Sequence, residues 1–137
     1  MEIKIRKGKD SDLPLVFDSY LKSWRVNKAA GTIPNHLFFD VQRALLEDLL
    51  ARGAVLTIAH PDTHEDLILG WALGELKEGK TVLHYVYIKD PYLGLGLPEL
   101  LLKSLPGEQP GFLTHKLQLK ETKEWRHTPE MARRKSL

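Results

Sequence analysis

The sequence contains no cysteine, which excludes disulfides, thiolate metal sites and a cysteine nucleophile. That absence is compatible with a reducing cytosol, and a cytoplasmic location is the expectation. No apolar run approaches the ~20 residues that a membrane-spanning helix needs, so no membrane association is expected either. The first ten residues, MEIKIRKGKD, place no apolar stretch after their charges and do not form a signal-peptide pattern. Net charge is scarce as well, +2 over 137 residues, too little to imply a polyanionic partner. Two nucleophile and phosphate motifs are also lacking. Ser11, Ser19, Ser23 and Ser104 lie in no G-x-S-x-G elbow, and no Gly-Lys-Ser/Thr follows a glycine turn.

What is present suits one soluble globular domain. An apolar fraction of 42% with 28% charged residues is ordinary for such a chain, and the length sits near the commonest domain size. Charge is uneven along it. From Lys116 onward seven Lys or Arg face three Glu, a net of +4, against about −2 for the rest. Residues 129–137 read as a basic tail on a domain of residues 1–128. A solvated tail accounts for this charge more simply than a nucleic-acid contact does, and nucleic acid is not the expected partner.

Periodicity gives the elements. EIKIR at 2–6 alternates like a half-buried strand. Asp10, Ser11 and Asp12 offer a helix N-cap, and Leu13, Val16, Phe17, Tyr20, Leu21 and Trp24 follow in one amphipathic stripe. A second helix is expected over 36–52, with Phe38, Val41, Leu45 and Leu49 inward and Gly53 as its stop. Three strand-length runs come next, 54–59, 67–74 and 81–88, joined by the turn-rich HPDTHED and LKEGK and so predicted to form an antiparallel meander. The third is apolar on both faces, as a central strand should be. A short helix with Pro98 in its first turn follows, then a strand at 111–115 parallel to its predecessor because a helix lies between them. Residues 116–127, KLQLKETKEWRH, are expected to form a final charged helix.

Chemistry concentrates in TVLHYVYIKDPYLGLGLPELLLKSL, residues 81–105. A glycine turn between strand and helix can direct several backbone N–H groups at an anion, with the helix dipole in support. Gly94 and Gly96 are too few for a dinucleotide fingerprint. Element order adds to the signal. The arrangement β-α-α-β-β-β, glycine loop, α-β-α resembles the GNAT (GCN5-related N-acetyltransferase) family along nearly the whole chain. The family's V-x-P-x-Y-[QR]-G-x-G-[IL]-[GA]-x-x-L-L is matched here by I-K-D-P-Y-L-G-L-G-L-P-E-L-L-L. The LHYVYIKDPY strand and the THK…W…P ending are similar to compact GNAT-like proteins encoded by tailed phages.

The resemblance implies a mixed, mostly antiparallel α/β fold of the acyl-CoA N-acyltransferase type, helices on both faces, with a shortened C-terminus. It implies acetyl-CoA as cofactor, an amine as acceptor, and acetyl transfer between them. Leu93, Gly94, Leu95, Gly96 and Leu97 would hold the pyrophosphate. Val86, Tyr87 and Ile88 would bond the pantetheine arm like an added strand, and the strands would splay between Val86/Tyr87 and Gly111/Phe112 to admit the thioester. Leu93 stands where the family has Gln or Arg. Pro98 stands where Gly or Ala is usual and donates no N–H, a loss of about 1–3 kcal/mol. The family's proton-donating tyrosine follows the fifth strand, and no tyrosine stands in KLQLKETKEWRH.

Candidate acid–base residues are therefore His84, Tyr85 and Tyr87 on the fourth strand and His115 at the end of the fifth. Simple alternation places His84 and Tyr85 on opposite faces. For each, a packed sheet residue with a satisfied polar tip is the competing role. Trp24, Arg25 and the loop to Pro34 fall where the family shapes its acceptor pocket. His60, Asp62, His64, Glu65 and Asp66 crowd one segment, but Pro61 and the flanking strands make it a hairpin loop, and no metal is expected. Two functions remain in play: an N-acyltransferase, or a GNAT-fold binding and assembly protein that has lost catalysis and acts in a homo-oligomer or with a protein partner.

Overall fold

The alternating N-terminal run forms β1 at Ile3–Lys7 in a computed structural model that describes residues 2–25, 35–89, 92, 94–114, 119–128 and 131. The side chains of residues 21–25, 35–39 and 120 lie outside that description. After β1, a 3-10 turn at Asp10–Asp12 leads into α1, Leu13–Arg25. Asp12 is the buried hinge of this junction. Its carboxylate accepts the Lys9 N–H at 2.8 Å and both Arg6 Nη groups at 2.7 and 2.8 Å. The Arg6 hydrogen bonds hold the Asp12 carboxyl below its ordinary range, against the opposing effect of burial.

Helix α2, Asn35–Ala51, packs beside α1. Its inward residues include Leu46 and Leu49. Val41, expected inside, is 57% exposed, because the inward stripe runs through Gln42, Leu45, Leu46 and Leu49, one position round the helix. The Tyr20 hydroxyl reaches Gln42 Oε1 at 3.4 Å across the α1–α2 seam. Gly53 stops α2 as expected. With φ of +102° it supports a double closure, Gly53 N–H to the Leu50 carbonyl and Ala54 N–H to that of Leu49.

The meander follows as β2 (Val55–Pro61), β3 (Gly70–Lys77) and β4 (Lys80–Ile88), each antiparallel to the last. β3 starts three residues later than the apolar pattern suggests. Leu67 N–H closes a turn onto the His64 carbonyl with its side chain exposed, and Ile68 and Leu69 are buried just ahead of the strand. Glu78 and Gly79, both at positive φ (52° and 80°), make the two-residue turn between β3 and β4. Helix α3, Leu97–Lys103, then carries the chain to β5, Glu108–Leu113, which pairs parallel with β4.

The segment expected to end in a helix does not form one among its described residues. It makes a 3-10 turn at Lys120–Thr122 and a two-residue strand, β6 (Arg126–His127), parallel to β5. Leu119, Thr122 and Trp125 recur every third residue, and their i→i+3 bonds (Thr122 to Leu119, Trp125 to Thr122) close successive tight turns that seat Trp125 in the core. The sheet order is β1-β2-β3-β4-β5-β6. One core lies between the sheet and α1/α2, around Tyr20, Leu49 and Trp71. The other lies between the sheet and α3, around Leu69, Leu83 and Leu101. This is the mixed, mostly antiparallel α/β sheet with helices on both faces that the sequence implies. No described helix is long and apolar enough to cross a membrane.

Candidate functional site

The direction of each strand's backbone groups follows from the outermost pairing. Gly8 N–H bonds the Leu56 carbonyl and Asp62 N–H the Glu2 carbonyl, so the even-numbered residues of β2 face β1. The odd ones face β3, and alternation then turns Trp71, Leu73 and Glu75 of β3 towards β4. Their partners on β4 are Tyr87, Tyr85 and Val82. The step from 85 to 82 skips a position, because Leu73 lies opposite Tyr85 and Gly74 opposite Leu83. His84 is the extra residue of a β-bulge.

The bulge has two consequences. Before it, Leu83 turns its carbonyl to β5 and accepts the Thr114 N–H at 3.0 Å. After it, Val86 and Ile88 turn their backbone groups to that same edge. Pairing with β5 ends at Leu83/Leu113, so among the described residues the edge at Val86 and Ile88 carries no neighbouring strand. Tyr87, by contrast, turns its backbone to β3 and not to the open edge.

The register corrects the expected splay. Phe112 lies opposite Val82, four residues before Val86. The reason is the shortness of the crossover. β5 begins directly after α3 and joins β4 at its start, where Glu108 N–H bonds the Gly79 carbonyl at 2.8 Å. The opening beside Val86 and Ile88 arises because β5's described pairing stops early, not because two paired strands part at Gly111.

The bulge also corrects the expected faces. His84 bonds Glu75, while Tyr85 packs on Trp71 (centroids 5.7 Å apart) and edge-on to Tyr20 (5.4 Å). Glu75 and Trp71 share a face of β3, so His84 and Tyr85 point to the same side, towards α1 and α2. Tyr87 joins them, its ring 6.2 Å from Trp71, half-buried. Trp71 itself is buried, and its Nε1–H donates to Ser19 Oγ at 2.8 Å.

His84 is 1% exposed. Its Nε2 lies 2.9 Å from Glu75 Oε1 and its Nδ1 3.0 Å from Thr114 Oγ1. Glu75 in turn accepts from Arg52 at the end of α2, and the same guanidinium nitrogen donates to the Met131 carbonyl. Burial pushes the Glu75 carboxyl up, but the bonds from His84 and Arg52 together bring it below the ordinary glutamate value. Sequence reasoning missed Glu75, Arg52 and Thr114. One signal was available: Glu75 is an acidic residue in an otherwise apolar strand core, across the sheet from a histidine.

The glycine turn sits at the same end of β4. Tyr92 N–H bonds the Lys89 carbonyl at 2.9 Å, and Tyr92 packs on the α3-side core. Gly94 and Gly96 adopt φ of +90° and +76°, and a β-carbon on either would meet nothing within 4 Å. They are required for backbone conformation, and they leave the outer side of the turn clear. Gly94, Leu95 and Gly96 are exposed, whereas Leu97 is buried and anchors α3. The first turn of α3 leaves its N–H groups without intrahelical acceptors, and Pro98 removes one of them.

Leu93 and His115 lie outside the described residues, as does the 26–34 loop. In the His60–Asp66 segment the acids diverge: Asp62 pairs with Lys4 at 2.9 Å, and Glu65 and Asp66 approach Lys9 at 3.6 and 3.5 Å. No cluster of three metal-ligating side chains occurs among the described residues.

No family model and no curated protein matches the sequence. Solved structures do match in shape. A provisionally assigned acetyl transferase from Pyrococcus furiosus superposes with a TM-score of 0.64 at 15% identity, over 90% of this chain and 89% of that one. The PaiA N-acetyltransferase from Thermoplasma acidophilum, in complex with coenzyme A, gives 0.54 at 21% identity, over 75% and 69%. YncA of Salmonella typhimurium, a provisionally assigned acetyltransferase with its cofactor acetyl-CoA, gives 0.51 at 16% identity, over 75% of this chain and 60% of its own. At such identities the likeness is one of fold, and the fold is that of the GNAT N-acetyltransferases.

Proposed function

We propose that this chain binds acetyl-CoA and transfers its acetyl group to an amine. The observation that carries the reading is the juxtaposition at the end of β4. A strand edge at Val86 and Ile88 that is unpaired among the described residues adjoins an exposed glycine turn, in a fold whose solved relatives include complexes with coenzyme A and acetyl-CoA. An extended chain of alternating amides fits the open edge as a short added strand. A pyrophosphate would lie on the outer side of Gly94–Leu97, where the two glycines carry no side chain and a β-carbon on either would meet nothing within 4 Å.

In this reading Val86 and Ile88 bond the pantetheine arm through their backbones. Gly94, Leu95, Gly96 and Leu97 present N–H groups to the phosphates, and Leu93 is proposed as a further cofactor contact on sequence grounds. The amine nitrogen attacks the thioester carbonyl carbon, the C–S bond breaks, the nitrogen loses a proton and the departing thiolate gains one. Tyr87 is the residue proposed to supply that proton. Its phenol faces α1/α2 beside Val86 and makes no hydrogen bond among the described residues. His115 remains a proposed partner in proton transfer on sequence grounds.

Calorimetric titration with acetyl-CoA tests the reading. Saturable binding with a raised melting temperature is expected, and thiol release should follow with a suitable amine. If saturating acetyl-CoA and CoA both leave heat and melting curve unmoved, the reading fails. Binding without thiol release across a panel of amines would instead favour the non-catalytic alternative, towards which the lost Pro98 donor points.

A further inference from the structure

A strand with one extra residue has a register problem. Moving the bulge by one position along β4 would exchange which of Tyr85, Val86, Tyr87 and Ile88 turn their backbones to β3 and which to the open edge. Backbone hydrogen bonding alone distinguishes poorly between neighbouring bulge positions, so something else must fix the extra residue at 84. The side chain there is tied to both neighbouring strands: Nε2 to Glu75 on β3 at 2.9 Å and Nδ1 to Thr114 just past β5 at 3.0 Å. Glu75 is itself held from α2 by Arg52.

We propose that His84 and Glu75 are positioning residues that pin the bulge of β4 and so decide which backbone groups line the open edge. The proposal rests on the acyl-CoA reading for its functional consequence, though not for its structural one. None of Thr81, Val82 and Leu83 could make the same pair of bonds. Thr81 and Leu83 side chains point to the α3 face, where Thr81 Oγ1 bonds the Pro106 carbonyl. Val82 shares the face of Glu75 but has no polar atom. Burial at 1% exposure keeps water from competing for either ring nitrogen.

The test separates the two levels. Amide hydrogen exchange by NMR should find Tyr85 and Tyr87 slow and Val86 and Ile88 fast in the natural protein, because only the first two bond β3. His84→Ala should erase that alternation and weaken acetyl-CoA binding by about tenfold or more. Glu75→Gln, which keeps an acceptor oxygen for the imidazole, should retain the alternation, whereas Glu75→Ala should lose it and serves as the second probe should His84→Ala fail to fold. Ser104→Ala is the control for lost stability. It removes a part-buried bond to Thr57 on the α3 face and should leave both alternation and affinity intact. Unchanged alternation in both His84→Ala and Glu75→Ala would overturn the proposal. Alternation lost in the variants, with no acetyl-CoA binding even in the natural protein, would uphold the pin while removing the acyl-CoA reading.

Discussion

Gly111 crosses Thr81 so closely that a β-carbon on it would lie 2.0 Å from the Thr81 carbonyl oxygen. Both residues sit in the first half of the β4–β5 pairing, where the register shifts between Lys80 and Val82. The obstacle is backbone and cannot rotate away. Gly111→Ala should therefore destabilise the fold by about 3 kcal/mol, at the upper end for overpacking, with a matching drop in the urea midpoint. A midpoint within error of the natural protein would show that β5 can shift without loss.

The first five strands and the three helices α1–α3 were legible largely because their apolar periods are regular, as in EIKIR and the stripe from Leu13 to Tyr20, whereas β6 was not. The misses share a cause. His84 breaks the period of two by a single residue, and a bulge leaves no mark in a hydrophobic pattern. Ile68 and Leu69 are apolar because they are buried ahead of β3, while Leu67 is apolar though exposed at a turn, so pattern and strand part company there. Register across β4–β5 depends on the length of α3 and on Gly111, and no single strand's sequence encodes it. At the site, the glycine turn was readable from Gly94 and Gly96, whose positive φ no other residue adopts easily. The Glu75–His84–Thr114 contact joins β3, β4 and the residue just past β5 and becomes visible only once the strands are aligned.

Gly96 stands in open space, in contrast to Gly111. Replacing it should disturb the turn locally and cost the fold about 1 kcal/mol through its positive φ. Gly96→Glu adds a carboxylate where the proposed pyrophosphate lies. The variant should fold, with a melting temperature close to the natural one, and lose the rise that acetyl-CoA produces. A rise of equal size in Gly96→Glu would place the phosphates elsewhere.

Acid should act first through two carboxylates. Asp12 lies below its ordinary value because Arg6 bonds both its oxygens, against the effect of burial and with help from the Lys9 N–H. Glu75 is lowered because His84 and Arg52 outweigh its burial. A depressed folded value means that the unfolded chain takes up the proton first. Each contribution is thus full above the unfolded values, about 3.9 for Asp and 4.3 for Glu, and is lost as pH falls through the folded ones. Asp12→Asn should lower stability at pH 7 by about 3 kcal/mol, since it leaves Arg6 part-buried without its partner charge. It should also flatten the loss of stability below pH 4. Urea midpoints measured from pH 7 to pH 3 decide this, and parallel curves for the two proteins would refute the linkage.

Tyr87→Phe tests the chemistry with the least disturbance. The ring that lies 6.2 Å from Trp71 is retained, and only a hydroxyl without a hydrogen-bond partner among the described residues is removed. Stability should change by less than about 0.5 kcal/mol, and the acetyl-CoA dissociation constant should stay the same, since the backbone groups proposed to hold the cofactor belong to Val86 and Ile88. If the phenol protonates the leaving thiolate, kcat for thiol release should fall by about a hundredfold, the lower range for loss of a positioned acid. The split matters because a packing role would move stability or affinity instead of kcat. Equal kcat in the two proteins would take Tyr87 out of the chemistry and leave proton transfer to another group or to water.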